Sequence, residues 1–200
     1  MGDVTWEPAA LSRAERWRTL ERRGATLWLT GLPGSGKSTL AGAVEAALVR
    51  AGQPAYRLDG DNLRHGICAG LGFSPADRDE NVRRAAELAR LFADSGTVAV
   101  VALVSPFADA RRRARELHER DGLGFVEVYV DTPVSECARR DPKHLYERAR
   151  AGELKGLTGV DAPYEVPEAP ELVVQPALGL ERSVALVLNA LSRCAPPAVQ

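Results

Sequence analysis

The feature that most restricts this chain is Gly31-Leu32-Pro33-Gly34-Ser35-Gly36-Lys37-Ser38-Thr39, a GxxxxGK[ST] pattern set between two differently patterned runs. Before it, Thr26–Thr30 is short, apolar and rich in strand formers. After it, Lys37–Ala51 repeats Leu40, Ala43, Val44, Ala47 and Leu48 at helical spacing. A strand, a glycine-rich loop and a helix in that order turn consecutive backbone N–H groups toward one anion, with the positive end of the helix dipole behind them. The loop is therefore expected to hold nucleotide phosphates, with Lys37 neutralising the β- and γ-phosphates and the Ser38 hydroxyl ligating Mg²⁺.

Four further runs read as buried strands, Ala55–Leu58, Val98–Val104, Phe125–Val130 and Glu171–Val174, and Asn81–Asp94 repeats Val82, Ala85, Ala86, Ala89 and Phe92 as a helix does. Strands alternating with helices predict an α/β fold: a three-layer sandwich of the P-loop NTPase type, with a five-stranded parallel sheet and helices on both faces. Binding in such sheets takes place at the carboxyl ends of the strands. A chain of 200 residues supplies one core, so a single domain over 1–200 is expected. Within it, 1–24 reads as an N-terminal segment and 195–200 as a fraying tail. The stretch 139–170 is charged and punctuated by Gly152, Gly156, Gly159, Pro163, Pro167 and Pro170; it looks helical only over Pro142–Ala151 and reads as a mobile lid.

Charge and composition remove several classes. With 26 basic and 27 acidic residues the net charge is −1, which excludes a strongly basic nucleic-acid binder. No apolar run approaches the roughly 20 residues that cross a bilayer, and the first 24 residues have no apolar core of signal-peptide length, so a cytoplasmic location is expected. Cys68, Cys137 and Cys194 lie far apart with no CxxC spacing, and read as reduced thiols rather than a disulfide or zinc framework. The DxxG run Asp121–Gly124 precedes a strand instead of following one, and no NKxD occurs, so a GTPase is disfavoured; a small-molecule kinase suits the length better.

The second strand ends in Leu58-Asp59-Gly60-Asp61-Asn62. Strand alternation aims Asp59 and Asp61 to one side, with Gly60 allowing a bend between them. Phosphoryl transfer needs one acid near Mg²⁺, assigned to Asp59, and one to orient or deprotonate the attacking hydroxyl, assigned to Asp61.

Leu58–Gly66, Leu71-Gly72-Phe73-Ser74, Asp77–Arg84, Leu91–Asp94, Ser105-Pro106-Phe107, Val130–Pro133, Arg140-Asp141-Pro142-Lys143 and Ala149–Lys155 occur in consistent order from about Gly24 to Leu172, and together resemble the adenylylsulfate kinase (APS kinase) family. The resemblance implies transfer of the ATP γ-phosphate to the 3′-hydroxyl of adenosine 5′-phosphosulfate (APS), giving 3′-phosphoadenosine 5′-phosphosulfate (PAPS) and ADP. It designates Arg64 and Arg78 as guanidinium forks for APS, Asn81 as a polar partner, Phe73 as a stacking face for adenine and Val104, Ser105, Lys143, Gly156 and Leu157 as acceptor contacts. By themselves, Arg78 and Asn81 read as helix capping and a solvated face, and Lys143 as an exposed helix-start lysine. Ser105 carries a family label of phosphoserine intermediate, although in-line transfer requires only positioning and charge stabilisation.

The chain departs from the family pattern in three places. Ala108 stands where an arginine is usual after Ser-Pro-Phe, Leu157 where an aromatic is common, and Trp6-Glu7 where the family has Trp-His. Ala108 and Leu157 keep one alternative open, a P-loop kinase for another small nucleotide acceptor; a second, a non-catalytic nucleotide-binding regulatory partner, would be expected to have lost Lys37, Ser38 or Asp61, and none is lost. The family pattern also implies a homodimer and a functional association with ATP sulfurylase. Trp6–Arg23 reads either as a subunit contact or as a solvated helix.

Overall fold

Five apolar runs become the strands β1 (Ala25–Thr30), β2 (Ala55–Asp59), β3 (Val98–Ala102), β4 (Gly124–Val130) and β5 (Leu172–Val174) in a computed structural model that describes residues 5, 7 and 9–194. All neighbours pair in parallel in the order β2-β3-β1-β4-β5. β1 is buried at every position, as expected of a central strand covered on both faces. Its alternation divides the core: Leu27 and Leu29 face one apolar cluster, and Trp28 the other.

The helices are α1 (Arg13–Leu20), α2 (Lys37–Arg50), α3 (Gly60–Arg64), α4 (Pro75–Ser95), α5 (Ala108–Arg120), α6 (Val134–Arg140), α7 (Leu145–Arg150) and α8 (Leu180–Cys194). α2 and α8 cover one sheet face with Leu40, Val44, Val187 and Leu191; α4 and α5 cover the other with Val82, Ala85, Ala89, Ala110 and Ala114. β1 lies between β3 and β4, so the sheet changes winding direction at β1, and the crevice outside its carboxyl end is the binding position of such folds.

Several elements differ from their sequence expectation for identifiable reasons. The third strand was expected to run to Val104 and stops at Ala102. Leu103 still donates to Leu29 O at 3.1 Å, but Ser105 then turns with φ +39° and Pro106 has no N–H to continue a ladder. The helix expected from Asn81 begins at Pro75, because Ser74 and Asp77 form a reciprocal capping box with proline in the first turn. Asp59 and Asp61 are not related by strand alternation: Asp59 caps α3 by accepting from Asp61 N at 3.1 Å, and Asp61 lies in the first helical turn. The helix expected at Pro142–Ala151 contracts to α7, whose first turn is held by the Asp141 carboxylate accepting from Leu145 N at 2.8 Å and Glu147 N at 2.9 Å.

α1 packs on its own chain, with Arg13 and Arg16 on Asp94 at 2.7 and 3.1 Å and Trp17 Nε1 donating to Asp94 O at 3.0 Å. The tail at 195–200 and Trp6, which also carried expectations, lie outside the described residues.

Candidate active site

The loop between β1 and α2 wraps a buried lysine. Lys37 Nζ donates to Gly31 O at 2.8 Å, Leu32 O at 2.7 Å and Ser35 Oγ at 3.1 Å. Three acceptors match the three protons of an ammonium, while burial acts in the opposite sense and draws its pKa down to about 7. Gly31 is required where it stands: at φ +147° a Cβ would come 2.7 Å from Val130 O. Thr132 Oγ1 donates to Ser35 O at 2.8 Å and Tyr146 Oη to Pro33 O at 2.8 Å, so the segment after β4 and helix α7 both brace the loop.

The loop opens onto a cleft of about 600 Å³. From the loop, Pro33, Gly34, Gly36, Lys37, Ser38 and Thr39 line it, with Ser38 and Thr39 exposed. Gly31, Leu32 and Ser35 stand behind, buried beneath the loop. Asp59 and Asp61 line the same cleft. Asp59 is buried; Asp61 is exposed and ion-paired with Lys143, which reaches in from the segment between α6 and α7.

Elsewhere in the cleft, Phe73 is 66% exposed, an unusual state for a large aromatic. Arg64 Cζ lies 4.2 Å and Arg78 Cζ 5.6 Å from its ring centroid. Arg64 Nη1 donates to Leu71 O at 3.0 Å and Gly72 O at 2.9 Å, while Arg78 donates to Phe73 O at 3.0 Å and Gly156 O at 2.8 Å. Each guanidinium keeps further N–H groups beyond these bonds. Burial, then the like charge of Arg64, pulls Arg78 below its ordinary value, a repulsion that an anion between the two would relieve. Asn81 is buried in the second turn of α4 and lines the same cleft, its Nδ2 beside the Cys68 thiol and without any oxygen or nitrogen acceptor. An orphaned amide in such a position is a ready donor to a ligand.

Val104, Ser105, Gly156 and Leu157 complete the lining. The Ser105 hydroxyl is turned inward: it accepts from Trp28 Nε1 at 3.2 Å and donates to Thr30 Oγ1 at 3.0 Å, and the residue is 3% exposed. Leu157, at the position where an aromatic is common, packs with Leu32, Cys137 and Tyr146. Ala108, where an arginine is usual, is an exposed first residue of α5, its N–H taken by Glu165 Oε2 at 2.6 Å.

The family model for adenylylsulphate kinase matches residues 23–175, most of the chain and all five strands. The chain belongs to that family. Adenylyl-sulfate kinase of Clostridium acetobutylicum is 49% identical over 173 residues, covering 86% of this chain and 85% of the relative. The enzyme of Enterobacter sp. is 52% identical over 172 residues, covering 85% and 84%. Among solved structures, Mycobacterium tuberculosis APS kinase CysC in complex with AMPPNP and APS superposes with a TM-score of 0.84 at 49% identity, covering 86% of this chain and 99% of that one.

Several contributors to this adenylylsulphate kinase cleft were not singled out in the sequence. Arg140 and Lys155 bring further positive charge to its rim, and Thr158, 1% exposed with Oγ1 unpartnered, adds a second orphaned polar atom. Arg140 stands two residues before Pro142 in the family-like Arg140–Lys143 run, a signal that was available. Thr158 gives none, since a threonine between glycines reads as loop.

Proposed function

We propose that the cleft transfers the γ-phosphate of ATP to the 3′-hydroxyl of APS, yielding PAPS and ADP. The observation that carries this reading is the presence, in the lining of one cleft, of a phosphate loop, an aromatic face flanked by two arginines and the Asp61 carboxylate, in a chain of the adenylylsulphate kinase family. The backbone amides of Gly34–Thr39 and Lys37 hold the ATP phosphates. Phe73 stacks on the adenine of APS, Arg64 and Arg78 take its phosphosulfate, and Asn81 Nδ2 gains the acceptor it lacks.

Asp61 accepts the proton of the 3′-hydroxyl at a carboxylate oxygen as that oxygen attacks the γ-phosphorus. The bond from phosphorus to the β,γ-bridging oxygen breaks and ADP leaves. For Asp61 to act, Lys143 must exchange its partner for substrate phosphate, which couples the segment around Lys143 to substrate entry and gives 139–170 its role as a lid. Ser38 and Asp59 present a hydroxyl and a carboxylate, hard oxygen donors of the type that suits Mg²⁺. Bound there, the ion would neutralise charge on the β- and γ-phosphates. Ser105 is read as cleft floor and not as a covalent relay, because its hydroxyl is committed to Trp28 and Thr30.

A coupled assay of ADP release with Mg-ATP, in the presence and absence of APS, tests this reading. APS-dependent turnover is expected; ATP hydrolysis that ignores APS would contradict it.

A further inference from the structure

Arg111 is an arginine buried where arginines are rarely found, 3% exposed on the inner face of α5. All three of its nitrogens are used, each at 2.7 Å: Nε donates to Glu127 Oε1 on β4, Nη1 to Ser105 O, and Nη2 to Glu165 O. The first bond balances its charge. The other two join pieces of chain far apart in sequence, the floor of the cleft and the far end of the 139–170 segment, read above as its covering segment, which contributes Lys143 and Gly156 to the lining.

Both pieces need an external tie. Ser105 holds φ +39°, a left-handed conformation that costs a non-glycine residue on the order of 1 kcal/mol or more. Glu165 returns on this turn through its own N–H to Pro106 O at 2.8 Å and its carboxylate to Ala108 N at 2.6 Å. Nearer its start, the same covering segment gives Gly156 O to Arg78, one of the two arginines beside Phe73. Arg111 thus ties the segment near its end, at Glu165, to the cleft floor, and Arg78 ties its middle, at Gly156, to the arginine pair beside Phe73.

We infer that Arg111 is a positioning residue for the acceptor: anchored on Glu127, its guanidinium fixes the Ser105 turn and the Glu165 end of the covering segment in one register. This rests on the acceptor reading given above. None of Arg111's hydrogen-bond partners belongs to the phosphate loop, so the loss of its guanidinium is expected to act on the acceptor before ATP.

The test is steady-state kinetics of Arg111→Lys and Glu165→Ala. Lysine keeps a charge opposite Glu127 but cannot reach three acceptors in a plane. Glu165→Ala leaves Arg111 on Glu127 and on the Glu165 carbonyl and removes only the carboxylate tie to Ala108 N, so with the buried ion pair intact it tests the part of the inference that places the Glu165 end of the segment in the acceptor's register. For Arg111→Lys, KM for APS is expected to rise about tenfold or more with KM for ATP within about twofold; for Glu165→Ala, a rise of about threefold in the same direction. A purely structural role predicts a lowered melting temperature with both KM values unmoved or moved together, and that result would overturn the inference. Wild-type turnover of APS, measured alongside, tests the acceptor reading separately.

Discussion

Asp61 and Lys143 are ion-paired across the cleft, one from the first turn of α3 and the other from the segment between α6 and α7. Lys143 is 58% and Asp61 62% exposed, so the pair adds little to stability. What it does is hold a cation at the carboxylate assigned to proton transfer.

Asp61→Asn keeps the size of the side chain and removes its basicity. A fall in kcat of about 10²–10⁴ is expected with KM for ATP within about threefold, since positioned proton transfer contributes on that scale. The coupled ADP assay checks it, and a kcat within tenfold of wild type would remove Asp61 from the chemistry.

Phe73 is the most exposed aromatic face in the cleft. Stacking of a base on an aromatic contributes about 1–3 kcal/mol, so Phe73→Ala is expected to raise KM for APS about tenfold or more while leaving KM for ATP nearly unchanged. Parallel increases in both would show that the ring does not face the acceptor.

Ser105→Ala leaves Trp28 Nε1 buried without its acceptor, a cost of about 1–3 kcal/mol. The melting temperature is expected to fall by several degrees, activity to stay within about tenfold, and incubation of the wild type with γ-labelled ATP to leave no label on the protein. Complete inactivation at unchanged stability, or a labelled Ser105, would restore the covalent role.

His118 is buried between α5 and β1, with Nδ1 against Ala114 O at 2.7 Å and Nε2 against Thr26 Oγ1 at 2.9 Å. The carbonyl requires a proton on Nδ1, so Nε2 of the neutral ring accepts from the threonine. Burial lowers its pKa, with the Arg90 charge acting in the same sense, so the unfolded chain binds the proton more readily. Stability therefore declines as pH falls below the ordinary histidine value of about 6.5 toward the lower folded value. Denaturant midpoints at pH 7.5 and 5.5 should show this loss, and His118→Gln should flatten it; an unchanged pH dependence would assign the loss to other groups.

The β1–loop–α2 unit was legible because three local signals agree there: an apolar run, glycines at turn positions and a helical apolar stripe. Asp59 and Asp61 were found as a pair but placed by the wrong rule, since strand alternation does not survive a residue that caps a helix. The conformation of Ser105 has no local signal. Neither does the burial of Arg111, because in Arg111-Arg112-Arg113 one side chain is 3% exposed and the others 57% and 50%, a distinction made only by Glu127 on a distant strand. Residues whose role depends on one local pattern could be read in advance; those that tie separate segments together could not.

The most direct test of the central claim is ³¹P NMR of the product formed by the wild-type chain from Mg-ATP and APS. A new phosphate monoester on the 3′-oxygen is expected, formed in step with ADP, and none from 3′-deoxy-APS. Equal ATP consumption with the 3′-deoxy compound, or no 3′-phosphorylated product, would contradict it.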